Sequence, residues 1–243
     1  MTNPLQHNNR WTDHDVEQHW DSVAGIYVSE NDKVKTAHNQ RFIESVKHLQ
    51  LFDNCKILNI SSRDCEANDY IKAVQPSANV INSEISGGLI DVARQLRPEA
   101  VQVKIETYSF LPFENSEFDR ILSLETLEHV ENPIQFLNEL HRVSNEGARL
   151  VLSCPPATSE IPYQIFTFLF GGHGEGPHKF PSSKKVKEWL KLAGWKLEMH
   201  KGTVLLPVGP QFIQNFAERF IQKFQGTFIS ELGIRQFYVC TKI

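Results

Sequence analysis

From Lys56 to Cys154 the apolar pattern switches repeatedly between a strand period and a helix period. That alternation limits the fold more than any other feature of the 243 residues. Lys56–Ile60 reads as a short buried strand, Glu66–Val74 as a helix, Asn79–Glu84 as a strand, Leu89–Leu96 as a helix and Val101–Glu106 as a strand. Phe118–Leu124 is a further strand. Pro133–Val143 is a helix with Pro in its first turn, where the missing N–H costs nothing, and Ala148–Cys154 is a strand. Strands that alternate with short helices build βαβ units, and therefore a mostly parallel sheet with helices on both faces. Such α/β sheets bind ligands at the carboxyl ends of their strands, where the strand order reverses. Chemistry is therefore expected in the loops that follow the first, second and fourth strands.

The rest of the chain extends this core within a single domain. Residues 1–50 read as a helical cap, with helices at Asp13–Ala24 and Asp32–Leu49, and residues 51–154 as the ligand-binding core. Residues 155–181 are rich in Gly and Pro and read as a lid, since irregular segments of this length are usually functional. Residues 182–243 complete the sheet. Ser182 caps a helix that runs to Leu192, Trp195–His200 is a strand, Gln211–Phe224 is an amphipathic helix, and Arg235–Thr241 is the closing strand.

Charge and composition remove several classes of function. With 25 Lys+Arg against 29 Asp+Glu, the net charge of -4 gives no footprint for a nucleic acid polymer. No apolar run is long enough to span a membrane. The polar N-terminus lacks the apolar centre of a signal peptide, so a cytoplasmic location is expected. Cys55, Cys65, Cys154 and Cys240 are widely spaced and form no C-x-x-C pair, which points to reduced thiols. His173-Gly174-Glu175-Gly176-Pro177-His178 contains metal-ligand types, but no helix holds them at fixed spacing, so no metal site is expected.

The most specific signal is the block from Leu111 to Pro156. It contains Leu111-Pro112-Phe113, Phe118-Asp119 opening a strand, Leu127-Glu128-His129-Val130, a helix, Gly147, and a strand running into Pro155. In order and spacing this block resembles the central segment of class I S-adenosylmethionine-dependent methyltransferases, the type 11 group. Weaker likeness extends from His19-Trp20-Asp21 and Tyr27 to Ala193-Gly194-Trp195. The resemblance implies a doubly wound, Rossmann-like sheet of seven strands with the last antiparallel. It also implies methyl transfer from S-adenosylmethionine to a small or medium-sized acceptor, with an O- or N-nucleophile favoured.

On this resemblance, Glu84 at the end of the second strand would accept the ribose hydroxyls, with Ile85 beside it. Thr107 and Tyr108 would meet the adenine; the family usually places an Asp where Thr107 stands. After the first strand the family has an acid followed by glycines at alternate positions. Here Asn59 replaces the acid, and Ser61, Arg63 and Cys65 replace the glycines. Each added Cβ restricts φ in a loop that must turn tightly. Ser61 and Ser62 are small, and Arg63 could pair with the cofactor's carboxylate. Leu124 closes the same region after the fourth strand. His129 and His178 are the candidate general bases, though His129 reads more readily as a packing residue under the cofactor. Tyr27, Glu125 and His173 are the candidate acceptor contacts.

Phe212, Phe216, Phe220 and Phe224 recur every four residues beside Ile213, Ala217 and Ile221. This stripe suits packing on the sheet, a homodimer face, or a wall for an apolar or aromatic acceptor. The rival reading of the whole chain is a non-catalytic methyltransferase-like protein that binds a ligand or a protein partner. Loss of three glycines and two acids supports it, and the retained Glu84 opposes it.

Overall fold

The computed structural model describes residues 9–164, 176–206 and 210–243. Seven strands form one sheet: β1 Lys56–Ile60, β2 Asn79–Glu84, β3 Val101–Lys104, β4 Phe118–Leu124, β5 Ser144–Cys154, β6 Trp195–Thr203 and β7 Arg235–Lys242. Their order across the sheet is β3-β2-β1-β4-β5-β7-β6. The β1–β2, β1–β4, β2–β3 and β4–β5 pairs are parallel, and β7 runs antiparallel to both β5 and β6. The order reverses between β1 and β4, which places the switch point at the loops expected to carry the chemistry.

Period-two alternation assigns side chains to two cores. Leu58, Ile60, Ile121, Leu150, Leu152, Tyr238 and Cys240 join one cluster, while Ile57, Leu122, Val151, Phe237 and Val239 join the other. The first face is covered by α1 (Asp13–Val23), α5 (Gly87–Leu96), α6 (Pro133–Val143) and α7 (Ser183–Leu192) through Val16, Trp20, Leu89, Phe136, Leu140 and Trp189. The second is covered by α3 (Lys35–Leu49) and α4 (Ala67–Val74) through Phe42, Leu49 and Ile71. Asn132, Ser86 and Ser182 each accept a backbone N–H as N-caps of α6, α5 and α7.

Several boundaries differ from expectation: β3 stops at Lys104 rather than Glu106, β6 runs on to Thr203 rather than His200, and two further differences are larger. The helix expected over Asp32–Leu49 is two helices, α2 (Tyr27–Lys33) and α3, broken at Val34, whose φ of -121° and ψ of 29° leave the helical region. β5 begins at Ser144 rather than Ala148. Gly147 reads as a breaker, yet at φ 74° it lies within the strand, and Ser144 pairs with Phe118 ahead of it. The last helix, α8, covers Gln211–Lys223. Part of the expected lid lies outside the described residues. Among the described residues no helix is long and apolar enough to cross a membrane.

Candidate functional site

The loop after β1 adopts an alternating backbone. Ser61, Arg63 and Cys65 have φ of 54°, 53° and 62°, the left-handed region that glycine enters freely. For a residue with a Cβ this conformation costs about 1–2 kcal/mol, so the surrounding contacts must hold it. They do so by pinning the loop to β2: Ser62 N–H donates to Ser83 O at 3.1 Å, and Arg63 N–H donates to Glu84 Oε2 at 2.8 Å. The three positions that the resemblance assigns to glycine thus keep a glycine-like path without glycine.

Glu84 is the centre of the arrangement and is 1% exposed. Its Oε1 accepts from Ile85 N–H at 2.9 Å and from Ser86 N–H at 3.0 Å, so the carboxylate is fixed by backbone donors from both loops. The Arg63 side chain folds onto the same carboxylate, with Nη1 3.6 Å from Oε1, and its Cζ lies 3.8 Å over the ring of Trp20 from α1. Arg63 is 7% exposed, and its Nη1 makes no hydrogen bond among the described residues.

The helical cap closes over this centre. Asp13, the first residue of α1, accepts from Thr107 Oγ1 at 2.6 Å and Tyr108 N–H at 2.8 Å on one oxygen, and from Glu131 N–H at 3.0 Å on the other. Trp11 Nε1 donates to His129 O at 2.6 Å, and Asp21 accepts from Ser86 Oγ and Gly88 N–H. Asp13 therefore brings a carboxylate to Thr107, where the family usually has one within the loop. Its partners stand 94 to 118 positions away in the chain, so no local pattern marks it. Arg41, Arg235 and Glu160 are further contributors that the sequence did not single out. Arg41 donates to Tyr27 Oη at 3.2 Å, and Arg235 Nε donates to Glu125 Oε1 at 3.0 Å.

The remaining candidates fall into distinct settings. Ser61 Oγ donates to Tyr108 Oη at 3.0 Å, and burial holds the Tyr108 phenol well above its usual pKa. Ile85 and Leu124 are buried. The Asn59 amide donates to Asn82 Oδ1 at 2.8 Å, which commits it to the β1–β2 interface. Glu125 stands at φ 51° just after β4 and accepts from Ser153 Oγ at 2.6 Å. His173 lies outside the described residues.

The two histidines meet under the cap, with ring centroids 6.4 Å apart. His129 is 1% exposed, its Nδ1 donates to Pro177 O at 3.0 Å, and Trp20 packs edge-on against its ring. Burial, reinforced by the nearby Arg63 cation, lowers its pKa to about 3, so the ring is neutral. His178 donates Nδ1–H to Gly176 O at 2.9 Å and turns Nε2 toward Glu160 Oε1 at 3.4 Å. Gly176, at φ 65°, abuts α1: a Cβ there would lie 2.4 Å from the His19 ring. Burial also pushes the Cys65 thiol up to about 12, which leaves it a packing group rather than a nucleophile.

An open cleft of about 370 Å³ beside the loop is lined by His38, Asp64, Glu66, Asp69 and Arg97 among others; its walls include neither Glu84 nor Tyr108. The ground beside Glu84 is filled by Arg63. Among the described residues no group of three or more His, Cys, Asp and Glu is placed to hold a metal ion.

Comparison with known proteins agrees with this fold. A family model described as a methyltransferase domain matches residues 62–152. An uncharacterized methyltransferase of Mycobacterium leprae is 32% identical over 99 residues, covering 40% of this chain and 34% of the relative. A protein from a Streptomyces fradiae transposon is 36% identical over 86 residues, covering 35% of this chain and 25% of the relative. The matches to these relatives thus span only a quarter to a third of their length. A demethylmenaquinone methyltransferase of Clavibacter sepedonicus is 21% identical over 209 residues, covering 76% of this chain and 84% of the relative. Among solved structures, a possible histamine N-methyltransferase of Thermotoga maritima superposes with a TM-score of 0.67, with 16% identity over 94% of this chain and all of the other. The [4+2]-cyclase SpnF gives a TM-score of 0.69 at 13% identity, covering 95% and 96% of the two chains. At these identities the superpositions speak for the fold alone. Residues 62–152 thus match a methyltransferase domain, and the seven-stranded sheet that contains them superposes on the fold of solved methyltransferase structures.

Proposed function

We propose that the protein transfers a methyl group from S-adenosylmethionine to an O- or N-nucleophile on a small or medium-sized acceptor. The observation that carries this reading is Glu84, a buried carboxylate at the end of β2, held by three backbone donors at the switch point of the sheet. The residues present fit the cofactor in two respects. The left-handed path through Ser61, Arg63 and Cys65 keeps the backbone turn that a cofactor loop needs, and Glu84 Oε2, which takes only the Arg63 N–H, has capacity left for a ribose hydroxyl. The bound cofactor would supply an electrophilic sulfonium methyl.

Glu84 would hold the ribose, Ser61 and Ser62 the methionine end, and Thr107 and Tyr108 the adenine, with Ile85 and Leu124 as apolar walls. Catalysis then rests on placing the acceptor close to and in line with the methyl. A proton on the nucleophile would be taken by His178 at Nε2, the ring being oriented by its Nδ1–H bond to Gly176 O. His129, with a pKa near 3, is too weak a base at neutral pH and serves instead to pack Trp20 and anchor Pro177.

The acceptor is apolar or aromatic in this reading, as is the quinone named for the Clavibacter relative. Exposed Phe212 and Phe216 on α8, with Ile213 and Arg219, line a groove of about 630 Å³ that would serve either an apolar partner or a second copy of the chain. The non-catalytic reading keeps one observation in its favour, the Arg63 side chain lying on the ribose anchor. Titration with S-adenosylhomocysteine separates the two. The wild type should bind, and Glu84→Gln should bind at least about tenfold more weakly, since each hydrogen bond to a charged acceptor is worth ~1.5 kcal/mol or more. Equal affinity of a folded Glu84→Gln variant and the wild type refutes the assignment.

A further inference from the structure

We infer that Arg63 is a built-in occupant of the cofactor cleft, and that its side chain must leave Glu84 and Trp20 before the ribose can seat. This inference rests on the cofactor reading above. Three observations carry it. Arg63 stands at a left-handed backbone position, φ 53°, where a side chain is a steric burden, yet it carries one of the longest. That side chain is folded inward, 7% exposed, with its guanidinium 3.8 Å over Trp20 and 3.6 Å from Glu84 Oε1. Its Nη1 is buried without a hydrogen bond among the described residues, so the guanidinium is held by stacking and charge rather than by a fitted set of acceptors.

A structural arginine at such depth would normally spend its donors on fixed acceptors, as the deeply placed Arg235 does with Glu125 Oε1 at 3.0 Å and Ala37 O at 2.9 Å. Arg63 instead lies against a carboxylate already satisfied by three backbone donors. The guanidinium and the ribose hydroxyls are donors to one acceptor, so they compete for it. The closed state also keeps Glu84 from being buried beside empty space while no cofactor is bound, which gives the occupant a role. The apparent dissociation constant then exceeds the intrinsic one by the reciprocal of the open fraction. If the stack and the ion pair leave the site open about a tenth of the time, the penalty is about tenfold.

The test is calorimetric titration of S-adenosylhomocysteine into the wild type, Arg63→Gly and Arg63→Ala, with the melting temperature of each as a folding control. Gly relieves both the side chain and the backbone strain, whereas Ala removes the occupant and keeps the Cβ. The inference predicts that both variants bind about tenfold more tightly than the wild type, or bind where the wild type shows no heat. Equal or weaker binding by the folded variants, with the wild type binding, overturns the occupant and leaves the cofactor reading intact; weaker binding would mean that Arg63 pairs with the cofactor's carboxylate. Absence of binding by all three proteins overturns both. In stopped-flow mixing, the wild-type rate should level off with ligand concentration as Arg63 departure becomes limiting, while that of Arg63→Gly should keep rising.

Discussion

Asp13→Asn isolates the clasp that holds the helical cap on the site. One Asp13 oxygen accepts from Thr107 Oγ1 and Tyr108 N–H, and the other from Glu131 N–H, at 2.6 to 3.0 Å. The residue is 4% exposed, so water cannot replace a lost partner. An asparagine keeps one acceptor oxygen and turns an amide NH₂ toward whichever N–H faced the second. At least one charge-assisted bond is lost, worth about 1.5–3 kcal/mol, and a buried donor is left facing another donor. The expected loss of stability is about 2–3 kcal/mol for Asp13→Asn and about 4 kcal/mol for Asp13→Ala, which forfeits all three bonds. Urea unfolding measures the total, and hydrogen exchange at the Tyr108 and Glu131 amides shows whether the loss is at the clasp. If Asp13→Asn unfolds within about 0.5 kcal/mol of the wild type, the typical effect of a surface change, the clasp is not what holds α1.

Two other outcomes follow from the same packing. Burial lowers His129 to about 3 and His38 to about 4, so both are neutral in the fold, while in the unfolded chain they titrate near 6.5. Stability is therefore full above pH 6.5 and falls as pH drops toward 4, by about 1.4 kcal/mol per pH unit for each group. His129→Gln should remove about one proton from that slope, as read from denaturation midpoints across this range. Gly176→Ala places a methyl 2.4 Å from the His19 ring at a positive φ, so it should push segment 176–181 off α1. The expected sign is faster exchange at Lys179 N–H, which bonds Glu128 O at 3.0 Å in the closed arrangement.

Much of the core was legible because its determinants are local. Lys56–Ile60, Asn79–Glu84, Phe118–Leu124 and Pro133–Val143 are each bounded by their own caps and apolar period, and the structure keeps those limits. The early start of β5 was not legible, since it depends on the pairing of Ser144 with Phe118, and no Gly or Pro marks the break at Val34. In the site, the place of Glu84 at the end of the second strand was legible, while its role came from the family resemblance. The left-handed backbone at Ser61, Arg63 and Cys65 was foreshadowed by the missing glycines, but its persistence without them depends on bonds to Ser83 and Glu84. The inward fold of Arg63 onto Trp20 and the clasp at Asp13 are tertiary facts with no signature in spacing.

The central claim is that the carboxyl ends of β1 and β2 hold the cofactor, and hydrogen exchange on the wild-type protein with and without S-adenosylhomocysteine tests it most directly. The account predicts slower exchange at residues 61–65, 84–88 and 105–109 on addition of ligand, with little change in α8. No change in those three segments at millimolar ligand, or protection confined elsewhere, would contradict it.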